Sequence, residues 1–494
     1  MLTGFAQAGL ATSVAGPLLV AVLATLIGAR RPEQTMRLGA LVASAGFVTS
    51  AGLTLVLLGG SQTETGTGVL RLTVDPVAAI MLLLIFGVSS VAQTYAVRYL
   101  AGDNRGGWFT AGASLLTASS ALMVTATTPV GIGIGWTGTG VALCALLATY
   151  WHLPAARDGL RRTVIAFGIG DVALWSAIAV TTLGDSGDGS LRAVAAALVV
   201  TAALSRAAQI PFHRWLPATL AAPTPVSALL HAGAVNAGAL LLLRLSPAYD
   251  TTVAGAIAVT AGAATLIYGA AVMLVKPDVK GALAHSTMAQ MGFMILTCGL
   301  GLWAAAVIHL VAHGFYKATL FLSSGSAIAS RRRSAAVPAD PPLAGWHRPA
   351  TLVFGAALPA GALLAAIAVI PASPADHSSE QALLVFAWVT GAAATWGWLR
   401  RRPGIRGAAV AAAFLVPAAV GYVAVIRGVG HFLAPALPDT AAPGVTAWAI
   451  VLATVSLLAA LATVRYSPTG LHRALYTHAL TAGHVTSPKT GAHR

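Results

Sequence analysis

Charge is the first thing that this sequence lacks. Only 9% of its 494 residues are Asp, Glu, Lys or Arg, whereas soluble proteins usually carry about a quarter. So few charges cannot cover the surface of a large soluble domain. Hydrophobic residues make up 57% of the chain, and apolar runs of about eighteen residues or more recur along it, each long enough to cross a bilayer. The composition therefore predicts an all-α polytopic membrane protein.

Cysteine is also scarce. The chain has only Cys144 and Cys298, and both lie inside apolar runs. Cysteine in such a position usually acts as a small packing residue, so we predict neither a disulfide nor a metal-binding pair. The first apolar run starts almost at Met1, without a basic leader or an evident cleavage site. We interpret it as a retained helix and not as a signal peptide.

About fifteen apolar runs are candidate transmembrane helices. Gly and Ala are abundant in them, and small residues let helices approach closely in lipid. A loop at residues 331–349 is expected to separate an N-terminal core, 1–330, from C-terminal helices at 350–464 and a tail at 465–494. The candidate helices are 7–29, 38–59, 76–97, 108–126, 129–151, 163–183, 191–209, 224–243, 252–275, 282–299, 303–330, 350–371, 381–399, 407–426 and 444–464.

The net charge of +15 follows from the placement of the basic residues. If the N-terminus faces outside and all candidate helices cross the bilayer, most of the 29 Lys and Arg residues fall on inward-facing segments. This matches the positive-inside rule, so nucleic-acid binding is not needed to explain the charge. Arg206 and Lys317 remain inside helices. The outward-facing basic residues are Arg71, Arg192, Arg244 and Arg427.

A row of basic side chains in the run 303–330 is the clearest functional signal. His309, His313 and Lys317 are four residues apart each time, so they share one face of a helix. Imidazole binds and releases a proton near neutral pH, and the row predicts a proton relay. The alternatives are a polar stripe between helices and a haem or metal site. No Asp, Glu or Cys stands nearby in sequence to complete a metal shell.

A second signal is a proline-rich interruption between residues 211 and 225. Proline breaks helices, and a break at membrane depth is tolerated where it is packed in protein or lines a wet cavity. Broken helices beside buried charge are typical of transport sites. Arg206 lies just before this break and His231 just after it. Arg206 could also extend to the membrane surface.

Asp171 is the only acid that the predicted helices bury. A carboxylate in such a place is expected to be protonated or paired with a cation. Arg206 is the candidate partner, because its helix follows next in the chain. The pair could be structural or could gate a path. Lys280 and His285 complete the set of ionisable residues at or within the spans.

Three long motifs carry a resemblance to a known family. The stretches AAQIPFHRWLPATLAAPTPVSALLHAGAVNAG, KPDVKGALAHSTMAQMGF and HLVAHGFYKATLFLSSGS resemble the antiporter-like membrane subunits of respiratory NADH:quinone oxidoreductase, and the match spans roughly residues 75–330. The resemblance implies two inverted five-helix repeats with broken helices and proton movement along a buried polar axis. The proton path that we assign consists of Asp171, Arg206, His231, Lys280, His309, His313 and Lys317.

Within that superfamily the sequence is most similar to the membrane subunit (DabB type) of the two-component inorganic carbon transporter. The residues that favour this branch are Phe212-His213-Arg214-Trp215, Ala221-Ala222, His231 with Asn236, and Gln290 through Cys298. The resemblance implies cation-driven uptake of bicarbonate or CO2, with protons or Na⁺ as the driving ion. It also implies a large soluble zinc protein resembling carbonic anhydrase as a cytoplasmic partner. We expect no cofactor in this chain, zinc in the partner, and a place in the plasma membrane.

The sequence departs from the respiratory pattern at several positions. Thr137 stands where a Glu follows the Trp in the family, and Arg206 replaces a lysine. The run 350–371, where a second broken helix is expected, has Pro359 but no charge. The long lateral helix of the largest respiratory subunit is not expected. The alternative functions are a subunit of a respiratory, hydrogenase or multisubunit antiporter complex, and a structural anchor. Since there is no nucleophile motif, phosphate loop or metal shell, we predict a transporter subunit and not an enzyme.

A reporter enzyme fused to the C-terminus tests the predicted orientation. The distribution of basic residues predicts a cytoplasmic reading, with the N-terminus outside. A fusion after residue 349 should give the same reading and serves as the control. An external reading from the C-terminal fusion would exclude an odd number of crossings.

Overall fold

The computed structural model describes residues 2–183, 188–249, 252–325, 347–371, 377–438 and 470–481, with isolated positions between 448 and 457. This part of the chain is almost entirely helical. Its helices are α1 Leu2–Ile27, α2 Pro32–Leu58, α3 Pro76–Tyr99, α4 Gly106–Thr125, α5 Pro129–Leu147, α6 Pro154–Leu183, α7 Gly189–Arg206, α8 Thr224–Ala232, α9 Ala237–Tyr249, α10 Thr252–Val275, α11 Val279–Gly299, α12 Trp303–Leu322, α13 His347–Val369, α14 His377–Arg401, α15 Ile405–Leu433 and α16 Gly470–Thr481.

Helical segments long and apolar enough to cross a membrane number 13 among the described residues, which confirms the polytopic α-helical fold. The predicted total of about fifteen is therefore approximate. The predicted span 282–299 forms α11, whose polar residues His285, Ser286 and Gln290 keep it outside that set. The predicted span 444–464 lies mostly outside the described residues, as does most of the predicted loop 331–349.

The described helices pack into two units. The first comprises residues 1–301, 309–326 and 438–494, and it holds the motif-bearing helices α3 to α11. The second comprises residues 302–308 and 327–437. In the second unit, α13, α14 and α15 pack around an apolar core of Ala362, Leu363, Ala366, Ala419 and Val423.

Several helix starts follow from local sequence. Pro76 and Pro129 stand at the first turn of α3 and α5, where a missing N–H is tolerated. The Asp75 carboxylate accepts from Ala78 N at 2.7 Å, and Thr128 Oγ1 accepts from Gly131 N at 3.0 Å. Between α2 and α3, strand β1 (Thr63–Thr65) pairs antiparallel with β2 (Leu72–Val74).

The predicted break after Arg206 is present. Helix α7 ends at Arg206, the chain forms a 3-10 helix at Phe212–Thr219, and α8 begins at Thr224. Side chains satisfy backbone groups that the break releases: Trp215 Nε1 donates to Ser205 O at 3.0 Å, and Ile210 N donates to Thr265 Oγ1 at 2.9 Å. The interruption is thus packed within protein, as its depth in the membrane requires.

A second break divides the run 224–243, which the sequence predicts as one helix. Helix α8 ends at Ala232, and α9 begins at Ala237 after a 3-10 turn at Ala234–Asn236. No proline lies at this point. Gly233 has φ −122° and ψ −71°, and a Cβ there would lie 2.9 Å from Leu229 O. By contrast, α13 is one continuous helix with Pro359 inside it.

Helices α10 and α11 touch through their backbones. A Cβ at Gly262 would lie 2.6 Å from Leu296 N and 2.8 Å from Gly292 O, and a Cβ at Gly292 would lie 2.5 Å from Leu266 N. Backbone atoms cannot move aside as a flexible side chain can. The abundance of glycine predicts such a close approach. It fixes α11 against α10, and it thereby fixes which face of α11 is turned toward α12.

Gly262→Ala should therefore destabilise the protein by about 1–3 kcal/mol, because the added methyl overpacks a backbone contact. The measurement is the thermal unfolding midpoint in detergent. Gly168→Ala is the matched control, since nothing lies within 4 Å of a Cβ at Gly168 and alanine favours the helix. Equal midpoints for the two variants would contradict this account.

Candidate functional site

Helix α12 presents His309, His313 and Lys317 on one face, as their spacing predicts. All three side chains are buried. The rings of His309 and His313 lie 6.1 Å apart between centroids, with planes inclined by 26°. The predicted row is therefore present as a geometric feature, and the surrounding helices determine what it can do.

Helix α11 lies antiparallel to this face and meets it residue by residue. Lys317 Nζ donates to Ser286 Oγ, and it lies 3.4 Å from Leu283 O. One turn further along α11, Gln290 Oε1 bonds to His313 Nδ1. The Phe293 ring then lies 4.8 Å from the His309 ring. The three α11 side chains that contact the row, Ser286, Gln290 and Phe293, are neutral.

Helix α8 contributes His231 in two ways. Its backbone oxygen lies 3.1 Å from His313 Nε2. Its ring stacks on Phe321 of α12, with centroids 4.2 Å apart and planes inclined by 12°. Gly314 permits this approach, because a Cβ there would lie 2.9 Å from Ala232 O. His231 is thus brought against the row, and its buried Nδ1 has no hydrogen-bond partner among the described residues.

Lys317 differs from the other buried cations in its partners. Arg206 pairs with Asp171, Lys276 with Asp278, and Arg427 with Glu380. Across the described ranges, no carboxylate forms an ion pair with Lys317, whose hydrogen bonds go to a hydroxyl and a backbone carbonyl. A buried charge without a counter-ion is costly. The amine is therefore held where its neutral form is tolerated.

Arg206 is buried within the protein and does not extend to the membrane surface. Its guanidinium donates to Asp171 Oδ1 at 3.0 Å and to Thr139 Oγ1 at 2.7 Å. It also stacks between Trp136 and Phe167, at 4.2 and 4.1 Å from the ring centroids. The contact between Asp171 and Arg206 that the helix order suggested is thus present. Trp136 O and Thr139 Oγ1 are the neutral acceptors of the guanidinium, whose Nε has no hydrogen-bond partner among the described residues.

A cavity of about 50 Å³ lies between α3, α4, α5 and the break at Gly233. Its polar lining comes from Ser89, Thr117, Ser120, Thr139 and Asn236. A cavity of this size with several polar groups can hold water. Thr139 bonds to Arg206, while Asn236 follows the break beyond His231, so the cavity lies between the Asp171–Arg206 pair and the helix that carries His231.

Lys280 and His285 lie at the start of α11. Lys280 Nζ is 3.4 Å from Ala222 O in the proline-rich break, and His285 Nδ1 is 2.9 Å from Gly281 O. Just before α11, the Asp278 carboxylate caps the helix at Gly281 N and lies 3.7 Å from Lys276 Nζ. Burial lowers the pKa of Lys276, and the Asp278 charge opposes that shift.

Several partners of the site were not predicted from the sequence. Ser286 and Gln290 were not assigned a role, although their spacing of four on α11 repeats that of His313 and Lys317. Polar residues at helical spacing in an apolar run were the available signal. Glu380 was missed because it stands in the first turn of α14, at the edge of a predicted span.

The coupling free energy between Asp171 and Arg206 can be measured with a double-mutant cycle. Asp171→Asn and Arg206→Gln should each lower membrane abundance, because each leaves one buried polar group without its partner. The double variant should recover part of the loss, with a coupling of about 0.5–3 kcal/mol in thermal or denaturant unfolding.

The exposed pair Arg71–Glu64, with side chains 56% and 46% exposed, is the matched control. Its coupling should stay within about 0–1 kcal/mol. Strictly additive losses at Asp171 and Arg206 would show that the contact contributes no coupling energy.

Known protein families match the part of the chain that contains this site. The model of the family "NADH:quinone oxidoreductase/Mrp antiporter, TM" matches residues 132–398, and that of "NADH-Ubiquinone oxidoreductase (complex I), chain 5 N-terminus" matches residues 67–110. The first match includes His231, Lys280 and the whole α12 row. In structure, the chain is similar to the Mrp complex from Dietzia sp. DQ12-45-1b, with a TM-score of 0.62, 24% identity, and coverage of 96% of this chain and 59% of that one.

Two curated relatives differ in the activity that their names describe. The probable inorganic carbon transporter subunit DabB1 of Halothiobacillus neapolitanus is 35% identical over 66% of this chain and 62% of its own length. NADH-quinone oxidoreductase subunit L of Mycobacterium tuberculosis is 37% identical over 56% of this chain and 45% of its own length. The match thus spans about half to three-fifths of these relatives. With a family model that covers more than half of its residues, the chain belongs to the NADH:quinone oxidoreductase/Mrp antiporter transmembrane family.

Proposed function

We propose that this chain is a proton-conducting membrane subunit that energises the uptake of inorganic carbon. The observation that carries the proposal is Lys317, a buried amine whose described hydrogen bonds go to the neutral Ser286 and Leu283. An amine that no carboxylate holds in its charged form can take up and release a proton. Two imidazoles precede it on the same helix face, so protons can pass between neighbouring bases.

The remaining residues of the path have distinct roles in this proposal. His231 lies on α8 and Lys280 at the start of α11, and both extend the row beyond its Lys317 end. Asp171 and Arg206 form a gate next to the cavity, which they reach through Thr139. Arginine keeps its proton in the accessible pH range, so Arg206 acts by its charge and not as a carrier. In a variant of this proposal, Na⁺ is the driving ion and passes through the same cavity.

The choice of inorganic carbon rests on the DabB-named relatives and on Thr137. This residue stands where the respiratory pattern has a Glu, and its hydroxyl accepts a hydrogen bond from Trp175 Nε1 at 3.0 Å. A neutral hydroxyl at this place removes a charged group that the respiratory subunits use. The proposed partner is a large soluble zinc protein resembling carbonic anhydrase, bound on the cytoplasmic side of the plasma membrane. The proposed orientation has the N-terminus outside and the C-terminus inside.

A second candidate is a subunit of a respiratory or multisubunit antiporter complex. The 37% identity to the mycobacterial subunit L favours it. The two candidates differ in their partners: a soluble zinc protein for carbon uptake, and quinone-reductase or antiporter subunits for the alternative. Affinity purification of the tagged chain from its own cells distinguishes them, because the co-purifying subunits can be identified directly.

Lys317→Ala should abolish gradient-driven uptake of radiolabelled bicarbonate while leaving the co-purified partner in place. Lys317→Arg should fail as well, because a guanidinium does not release its proton in the accessible range. Uptake is measured in cells with and without an uncoupler.

Tyr316→Ala is the matched control, since Tyr316 is the adjacent residue on α12 and its side chain is exposed. It should retain uptake. Full uptake in Lys317→Ala would exclude the lysine as a proton carrier, and a loss of the partner in that variant would point to assembly and not to conduction.

A further inference from the structure

Both ring nitrogens of His313 face an oxygen atom. Nδ1 bonds to the amide oxygen of Gln290, and Nε2 lies 3.1 Å from the backbone oxygen of His231. An oxygen of either kind only accepts hydrogen bonds. The arrangement is therefore fully satisfied only when His313 carries two protons, because a neutral imidazole has a single N–H to donate.

The two oxygens differ in their freedom to move. The His231 carbonyl belongs to the last turn of α8, which ends at Ala232 because of the break at Gly233. Carbonyls in a last helical turn lack their usual backbone donors and can accept from a side chain. This oxygen is fixed by the main chain. The Gln290 amide, by contrast, can turn about its terminal bond and present its NH₂ group in place of its oxygen.

These facts decide what happens when His313 becomes neutral. The remaining proton stays on Nε2, where the fixed carbonyl of His231 requires a donor. Nδ1 then becomes an acceptor, and Gln290 must present its amide nitrogen to it. We propose that Gln290 is a positioning residue whose amide reverses as His313 changes charge, and that it confines the neutral ring to the Nε2–H tautomer. The biological role of this reversal rests on the proposed proton conduction, but the experiment that tests the reversal does not depend on it.

Other ionisable groups also lie around His313. His309 and Lys317 lie on the same face of α12, and His231 lies on α8. Helix α11 presents the neutral Ser286 and Gln290, with Lys280 at its start. All the ionisable neighbours are bases, so Gln290 is the group that can stabilise either form of the ring without a charge of its own.

Nitrogen NMR of the purified complex, with ¹⁵N-labelled histidine, tests the proposal. His313 is assigned from the signal that His313→Gln removes. At high pH the neutral ring should show its proton on Nε2, and at low pH both nitrogens should be protonated. Gln290→Glu supplies a carboxylate that only accepts, so the imidazolium should persist to higher pH by about one unit or more. Gln290→Leu offers no acceptor to the Nδ1–H of the imidazolium. The pH midpoint of the His313 titration should therefore move to lower pH.

The opposite signs of the two variants separate positioning from a general structural effect. Thr297→Val is the control on the same helix, because its hydroxyl bonds only locally, to Met294 O at 2.8 Å, and its midpoint should equal that of the parent protein. A neutral ring protonated on Nδ1, or equal midpoints in Gln290→Glu and Gln290→Leu, would overturn the proposal. If the shifts appear but Lys317→Ala retains uptake, the function proposed above fails and the role of Gln290 stands.

Discussion

The free-energy penalty for a buried charge governs the arrangement of the buried cations in the described helices. The buried arginines are each matched to one acid, Arg206 to Asp171 and Arg427 to Glu380, and the partly buried Arg244 is matched to Asp75. Such pairs hold helices in register, because separating the partners would leave a charge in an apolar surrounding. Lys317 receives only neutral partners. The same penalty that favours the pairing of the arginines makes the protonation of this lysine conditional.

The helix breaks serve this arrangement by releasing backbone groups. After Arg206 the chain leaves the helical path, and the side chains of Trp215 and Thr265 take up backbone groups that would otherwise be unsatisfied. At Gly233 the end of α8 releases the His231 carbonyl toward His313. Membrane-embedded backbone tolerates such interruptions only with substitute partners. In the second break, the substitute partner is itself a member of the ionisable row.

Membership of the antiporter family gives this geometry a context. The relatives include proteins named for inorganic carbon transport and for quinone reduction. A buried row of bases is compatible with either purpose. What a particular member does therefore depends on the groups around the row and on its partners. Here the Thr137 hydroxyl accepts from Trp175 Nε1, and the Arg206 guanidinium bonds to Thr139 and Asp171.

The sequence by itself determined the polytopic helical fold, the break after Arg206 and the common face of His309, His313 and Lys317. These features depend on apolar length, proline and helical periodicity, which are local properties of the chain. It did not determine the break at Gly233, because no proline marks it and the approach of Gly314 to Ala232 beside it is a tertiary contact. Nor did it identify Ser286 and Gln290 as partners of the row. Their contacts join residues about 23 to 31 positions apart, and they depend on the placement of α11, which close glycine contacts with α10 constrain. Periodicity tells which residues share a face, but only the packing of helices decides which face meets which.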